Sequence, residues 1–287
     1  MSEELSSGKG HRDENFPVAS HLIARRHRAP ILAFYKVARL ADDIADHPAA
    51  PPEEKLARLK AVEASLTGAG REVPAAVQLR DTLLERGLSA RHILDLLEAF
   101  RRDSVKARTA DWADLMDYCR YSAAPVGRFV LDVHGESPAT WPASDALCAA
   151  LQVVNHLQDA GKDWRQVGRV YIPADEMAAA GLDAEALGAA VAPPVLRELI
   201  ASLARRTLGL LDAARPLARQ VSDARLALEI GVIHALVVDL AQGLTRRDPL
   251  AERVHHRPAE AIGVALRGVA RTLVARVGSR QSRLRAP

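Results

Sequence analysis

Residues 151–163, LQVVNHLQDAGKD, place Asn155, Asp159 and Asp163 four apart in a run that also contains Leu151, Val153, Val154 and Leu157. Residues four apart lie above one another on a helix. The segment therefore reads as a helix that packs through its apolar residues while carrying a polar stripe over two turns. Gln152 stands just upstream of the stripe and Gln158 beside it. Buried polar groups need partners, so a fold that buries this helix has to leave a polar cavity along one side. The alternative is a stripe that simply faces solvent.

The rest of the chain repeats helical spacing and shows no sustained strand alternation or fixed-period repeat. Ile31, Phe34, Tyr35, Ala38 and Ile44 mark a first long helix, stopped by Pro48, Pro51 and Pro52. EEKLARLKAVEASL follows, closed by GAG at 68–70. VPAAVQLRDTLLERG and SARHILDLLEAFRRDSV then read as two antiparallel helices joined near Gly87, with Ser89 as a cap. In TADWADLMDYCRYSAAPVGRFVLDVHG, Thr109 or Asp111 can cap the start, and Pro125 should kink or interrupt the helix. The pattern restarts after Pro138 and Pro142, loses regularity across GRVYIPADEMAAAGL, and resumes in helices of roughly 194–214, 222–244 and 259–278. With 4% aromatic residues, alanine, leucine and valine must make most helix contacts, which favours close packing. The expectation is an all-α chain: a flexible segment over 1–14, one helical domain over 15–278, and a basic tail over 279–287.

A second acidic stretch lies in that first helix. In RLADDIADHP, Asp42 and Asp46 are four apart and share a face, while Asp43 sits about 100° around the helix. Like charges at this spacing repel unless cations or water compensate them. A solvated helix end near Pro48 is the bland explanation. Set beside Asn155, Asp159 and Asp163, the stretch suggests two oxygen-rich helix faces opposed across a cavity. Magnesium suits such donors, because it prefers oxygen and bridges carboxylates to phosphates while keeping several waters. Zinc suits them less, since neither motif offers clustered cysteines or a His-x-x-x-His pair. More than one magnesium ion held there would attract a diphosphate and stabilise its departure. The glycine-lysine signature of a P-loop is absent.

Composition removes several other classes. Only Cys119 and Cys148 are present, without a CxxC pair, so a disulfide scaffold is not expected and a reducing cytoplasm is the simpler setting. The start MSEELSSGKGHRDEN lacks the basic-then-apolar order of a secretory signal, and no apolar run reaches spanning length. From Arg246 onward there are ten arginines against three acids. That asymmetry permits contact with anions, yet the tail ARVGSRQSRLRAP lacks interleaved aromatics, and no nucleic-acid partner is expected.

Three segments in order resemble the squalene and phytoene synthase family of head-to-head prenyl synthases. Tyr35, Arg39 and DDIAD at 42–46 resemble its first aspartate-rich motif. YCRYSAAPVG at 118–127 resembles its aromatic middle motif, and QVVNHLQDAGKDWRQVGRVYIP at 152–173 its second acidic motif. The resemblance implies an isoprenoid (terpenoid) synthase helical bundle, with a central cavity and an acid motif on each side. It implies that Asp42 and Asp46 hold magnesium on one side, and Asn155, Asp159 and Asp163 on the other. Arg39 and Arg169 are the implied diphosphate contacts, and Tyr121 the implied catalytic aromatic. Phe16, Tyr35, Tyr118, Phe129, Gln152 and Tyr171 are the implied cavity residues. Each has a plainer role open to it: a salt bridge for Arg39, a structural contact for Arg169, core packing for the aromatics.

SAAPVGR at 122–128 departs from the VAG-like continuation of common squalene and phytoene synthases. With ENFPVAS at 14–20, it resembles the hydroxysqualene synthase branch of bacterial hopanoid pathways. That branch implies presqualene diphosphate as substrate, water capture as the last step, and no nicotinamide cofactor. Ser122 or Tyr121 could position the water. Other hopanoid-pathway enzymes would act before and after it, and a greasy substrate makes peripheral contact with the inner membrane reasonable. Two alternatives stay open: synthesis of squalene, dehydrosqualene or phytoene from two prenyl diphosphates, and a non-catalytic assembly protein of the same fold. Oligomeric state is not legible.

Overall fold

The computed structural model describes residues 23–284, with side chains as far as Val277. Phe16 and the ENFPVAS stretch lie outside the described residues. Twelve α-helices are present among those described. In order they are α1 (Arg25–Ala45), α2 (Pro52–Thr67), α3 (Pro74–Arg86), α4 (Arg91–Val105), α5 (Trp112–Ser122) and α6 (Ala124–Val133). Then come α7 (Trp141–Val167), α8 (Ala174–Ala179), α9 (Pro194–Ala214), α10 (Leu217–Gln220), α11 (Ala224–Leu244) and α12 (Pro258–Leu284). The one β feature among the described residues is an isolated bridge between Arg108 and Val170.

The helices group into two compact units, and the chain passes between them within α5. The first unit holds α1–α4, the second half of α5, and α6. Both α3 and α4 pack on α1 and α2 rather than chiefly on each other, so the expected antiparallel pair is a pair by sequence only. Its core runs through Val37, Ala41, Leu59, Leu79, Leu97 and Phe129, each at most 1% exposed. Lys55 reaches from α2 to the Ala45 carbonyl at 2.9 Å, placing a cation at the C-terminal end of α1 where the helix dipole favours one. His92 of α4 is buried and meets Asp132 of α6 at 2.8 Å. Ser89 accepts from the Arg91 amide at 3.1 Å, but the residue at the N-cap of α4 is Ala90, one position later, so Ser89 supports the turn before the helix rather than capping it. Pro125 breaks the helix at Ala123 and starts α6.

In the second unit α7 packs on α9 and α11, and α11 packs on α12. Asp111 caps α5 by accepting from the Asp114 amide at 2.8 Å, and Asp114 in turn accepts from the Ala110 amide at 2.7 Å. Asp223 caps α11 in the same way, accepting from Arg225 and Leu226. The buried Glu136 carboxylate takes the amides of Ser222 and Asp223 at 2.7 and 2.8 Å. The α11–α12 contact is closest at Gly231 and Gly268. A Cβ on Gly268 would stand 2.5 Å from the Gly231 carbonyl oxygen, and one on Gly231 would stand 1.9 Å from Thr272 Oγ1. Arg276 ties α12 to the end of α10 through the carbonyls of Ala218 and Val221, at 3.0 and 2.8 Å.

Candidate active site

The first acidic face sits on the last two turns of α1. Arg39 donates to Asp42 Oδ2 at 2.7 Å and to Asp43 Oδ1 at 3.2 Å, so one guanidinium holds two carboxylates. This is the ion pair that the spacing allowed, and it also sets the direction of the Arg39 side chain. Burial, then Asp46, then Asp43 and Asp103 push the Asp42 carboxyl up to about 7, against the pull of Arg39. The group still keeps 35% of its side chain exposed, a route by which a cation could reach it. Among the described residues, no three of these carboxylates bring oxygens within 4.8 Å of one another. The donor chemistry fits a hard divalent ion that retains waters between itself and the protein.

Asp103, at the end of α4, belongs to this face although its position in the sequence gave no sign of it. Tyr118 on α5 donates to Asp103 Oδ2 at 2.7 Å. That hydrogen bond brings the Tyr118 hydroxyl to the acidic cluster. Tyr121, one turn on, has different neighbours: the Arg102 guanidinium lies 4.3 Å from its ring centroid and that of Arg120 lies 5.9 Å away. Arg102 is itself anchored to Asp117 Oδ2 at 2.7 Å. The two tyrosines thus share a helix and differ in partners, one hydroxyl on an acid and one ring on the arginines.

Ser122 closes α5, and its hydroxyl is buried without a hydrogen-bond partner. Such a group calls for an explanation, and a water molecule is a common one. Phe129 stacks on Phe34, centroids 4.3 Å apart, in the core of the first unit. Tyr35 lies half-buried on α1 one turn before Arg39.

The second acidic face is on α7. Val153, Val154 and Leu157 are buried at 1–2% exposure, while Asn155, Asp159 and Asp163 are only partly covered, so the helix packs as the spacing requires. Between the stripe residues stands His156, whose ring stacks on Tyr171 at 3.6 Å. Gln152 donates to His156 Nε2 at 3.1 Å. Burial and the nearby Arg169 push His156 down to about 3, which keeps the imidazole neutral. Arg169 is buried at 8% exposure. Its place follows from the end of α7, where Gly168 adopts φ 68° and returns its amide to the Trp164 carbonyl. Asp159 meets Lys162 at 3.6 Å. The loop after α11 also reaches α7: Gln158 donates to the Val254 carbonyl, and the Asp159 charge acts on His255.

Sequence reasoning missed Asp103, His156 and His255. Asp103 is 61 positions from Asp42, and only the packing of α4 on α1 relates them. His156 had a local signal, since it sits four residues after Gln152 inside the stripe.

The squalene/phytoene synthase family pattern matches residues 10–260. The chain is 55% identical over 259 residues to the hydroxysqualene synthase of Rhodopseudomonas palustris, covering 90% of this chain and 89% of that one. It is 53% identical to the hydroxysqualene synthase of Zymomonas mobilis, covering 91% and 89%. Among solved structures it matches a squalene synthase from Alicyclobacillus acidocaldarius with a TM-score of 0.70 and 32% identity, over 80% of this chain and 87% of that one. The all-α architecture is therefore that of the isoprenoid synthases, and the chain belongs to the squalene/phytoene synthase family, closely related to the bacterial hydroxysqualene synthases.

Proposed function

We propose that this chain converts presqualene diphosphate and water to hydroxysqualene and diphosphate, with magnesium, as a step of squalene and hopanoid biosynthesis. The observation that carries the reading is the high identity to two hydroxysqualene synthases over nine-tenths of their chains. Two acid-bearing helices support it, because the reaction begins with loss of diphosphate. Asp42 and Asp46 would hold magnesium at one acidic face, and Asn155, Asp159 and Asp163 at the other. Bound there, the ions would supply positive charge to the departing diphosphate.

The protein's own groups do the rest. Arg39 limits repulsion among the α1 carboxylates and offers donors to an incoming phosphate oxygen. Arg169, buried beside a neutral imidazole, keeps its charge for a second anionic contact. Tyr118 holds Asp103 in place at the acidic face. The carbon–oxygen bond breaks with its electron pair leaving on diphosphate, the cyclopropylcarbinyl cation opens, and a water oxygen adds to the allylic cation with loss of one proton. Ser122 positions that water through its unpartnered hydroxyl.

Farnesyl diphosphate and presqualene diphosphate offered separately test the assignment. Consumption of presqualene diphosphate with release of hydroxysqualene is the expected result. Formation of presqualene diphosphate from farnesyl diphosphate, without its further consumption, would overturn it. Joining of two prenyl diphosphates to squalene, dehydrosqualene or phytoene would instead place the chain among the head-to-head synthases. No turnover of either substrate would leave the assembly role.

A further inference from the structure

Helix α12 has two apolar faces and only one of them is covered. Val264, Gly268 and Thr272 turn toward α11, where the glycine contact draws the two helices together. On the other side Ile262, Leu266, Leu273, Val274 and Val277 are 62%, 64%, 50%, 75% and 57% exposed. Five of the eleven large apolar side chains exposed among the described residues therefore fall on this one helix. Positions 262, 266, 273 and 277 follow one another at spacings of four, seven and four, which is a single stripe along the axis. From Ile262 to Val277 it is about 22 Å long. Isolated exposed leucines are ordinary; a continuous stripe of this kind marks an interaction surface.

Charge selects the partner. From Pro258 to the C-terminus the sequence holds six arginines against the single acid Glu260; Arg276 is turned to the carbonyls of Ala218 and Val221, while Arg267 and Arg271 are exposed. Around the helix Arg267 stands about 110° and Arg271 about 150° from the centre of the stripe, both exposed on the polar side that a helix lying in a bilayer interface turns toward headgroups and water. Two copies of this face brought together about a two-fold axis would set Arg267 and Arg271 against their counterparts with one glutamate apiece to relieve them. An anionic lipid surface supplies the missing counter-charge and takes up the apolar stripe as well. The helix does not cross the membrane, since no described helix is long and apolar enough to do so. We infer that the outer face of α12, from Ile262 to Val277, is a docking surface for an anionic bilayer, on which the helix lies flat. This inference is independent of which prenyl diphosphate the enzyme consumes.

The full chain is mixed with vesicles of phosphatidylglycerol and phosphatidylcholine, or of phosphatidylcholine alone, and the bound fraction is read by flotation. The expected result is binding to the anionic vesicles that weakens with salt and falls about tenfold in both Leu266→Ser/Leu273→Ser and Arg267→Gln/Arg271→Gln variants. Unchanged circular dichroism and turnover of detergent-dispersed substrate show that each variant remains folded. If the serine pair does not fold, the glutamine pair alone decides. Absence of vesicle binding, equal binding to neutral vesicles, or binding that neither pair reduces would overturn the inference. So would a wild-type dimer in gel filtration that ignores vesicles and becomes monomeric in the serine pair, which would make a second copy the occupant.

Discussion

The acidic faces of α1 and α7 look alike in sequence and differ in their surroundings. On α1 three carboxylates lie within one and a half turns, two of them held by one arginine, and Asp103 adds a fourth from α4, so the first face carries excess negative charge. On α7 the stripe residues stand beside a neutral imidazole, a buried arginine and a lysine. The first arrangement is poised to draw in cations. The second already has positive charge at hand. Equal spacing of acids therefore does not mean equal chemistry; the neighbours decide what each carboxylate is for.

Substitutions at the two faces test this most sharply. Asp42→Asn and Asp159→Asn should each lower kcat/KM by roughly 10³-fold, read by diphosphate release. The faces should separate in a magnesium titration, where Asp42→Asn requires more metal for half-maximal rate. Normal turnover in either variant would remove that carboxylate from the metal-binding set. Arg39→Gln should reduce kcat/KM about 10²-fold, because it leaves Asp42 and Asp43 uncompensated and would remove the phosphate contact proposed for Arg39.

The tyrosines come next. Tyr118→Phe should cost roughly 10-fold to 100-fold in kcat, since it releases Asp103, whereas Tyr121→Phe keeps the ring between its arginines and should stay within about threefold of wild type. The reverse order would assign the reacting position to Tyr121. Ser122→Ala should change the product more than the rate. Chromatography of the products should show about a fewfold rise in hydrocarbon formed by proton loss, at the expense of the alcohol.

The smallest effects are in stability against pH, and here the two faces have opposite signs in chelated protein. Asp42 is raised in the fold from 3.8 to about 7, so the folded state binds its proton more readily than the unfolded state does. Its contribution is present at low pH and is lost as pH rises from 3.8 through 7. His156 is lowered from 6.5 to about 3, so the unfolded state takes up a proton that the fold refuses. Its contribution is present above 6.5 and is lost as pH falls toward 3. Thermal melts across this range should show Asp42→Asn flattening the decline toward neutral pH and His156→Phe flattening the decline toward acid. Added magnesium should lift the melting temperature near neutral pH in wild type more than in Asp42→Asn.

Much of this was legible in the sequence because it is local. The prolines from Pro48 onward follow the end of α1, the Pro125 break is where its ring forbids a continuous helix, and stripes of residues four apart became helix faces. The short α10 was missed, since four residues carry no periodicity. What spacing could not supply was anything made by packing. Asp103 joins Asp42 across two helices, Tyr118 and Tyr121 diverge through the neighbours that α4 provides, and the imidazole of His156 resists protonation because it is buried beside Arg169. Arg39 shows the same limit from the other side: its pairing with Asp42 was a three-residue matter, while its role toward phosphate depends on substrate.

The glycine contact between α11 and α12 reaches further than packing density. With no room for a methyl group at residue 268, the close approach of α12 to α11 requires glycine to face inward there, and that fixes which residues lie on the opposite side. A larger residue there would turn the helix, and the outward apolar row would swing with it. A substitution hidden in the interior can thus re-aim a surface it never touches.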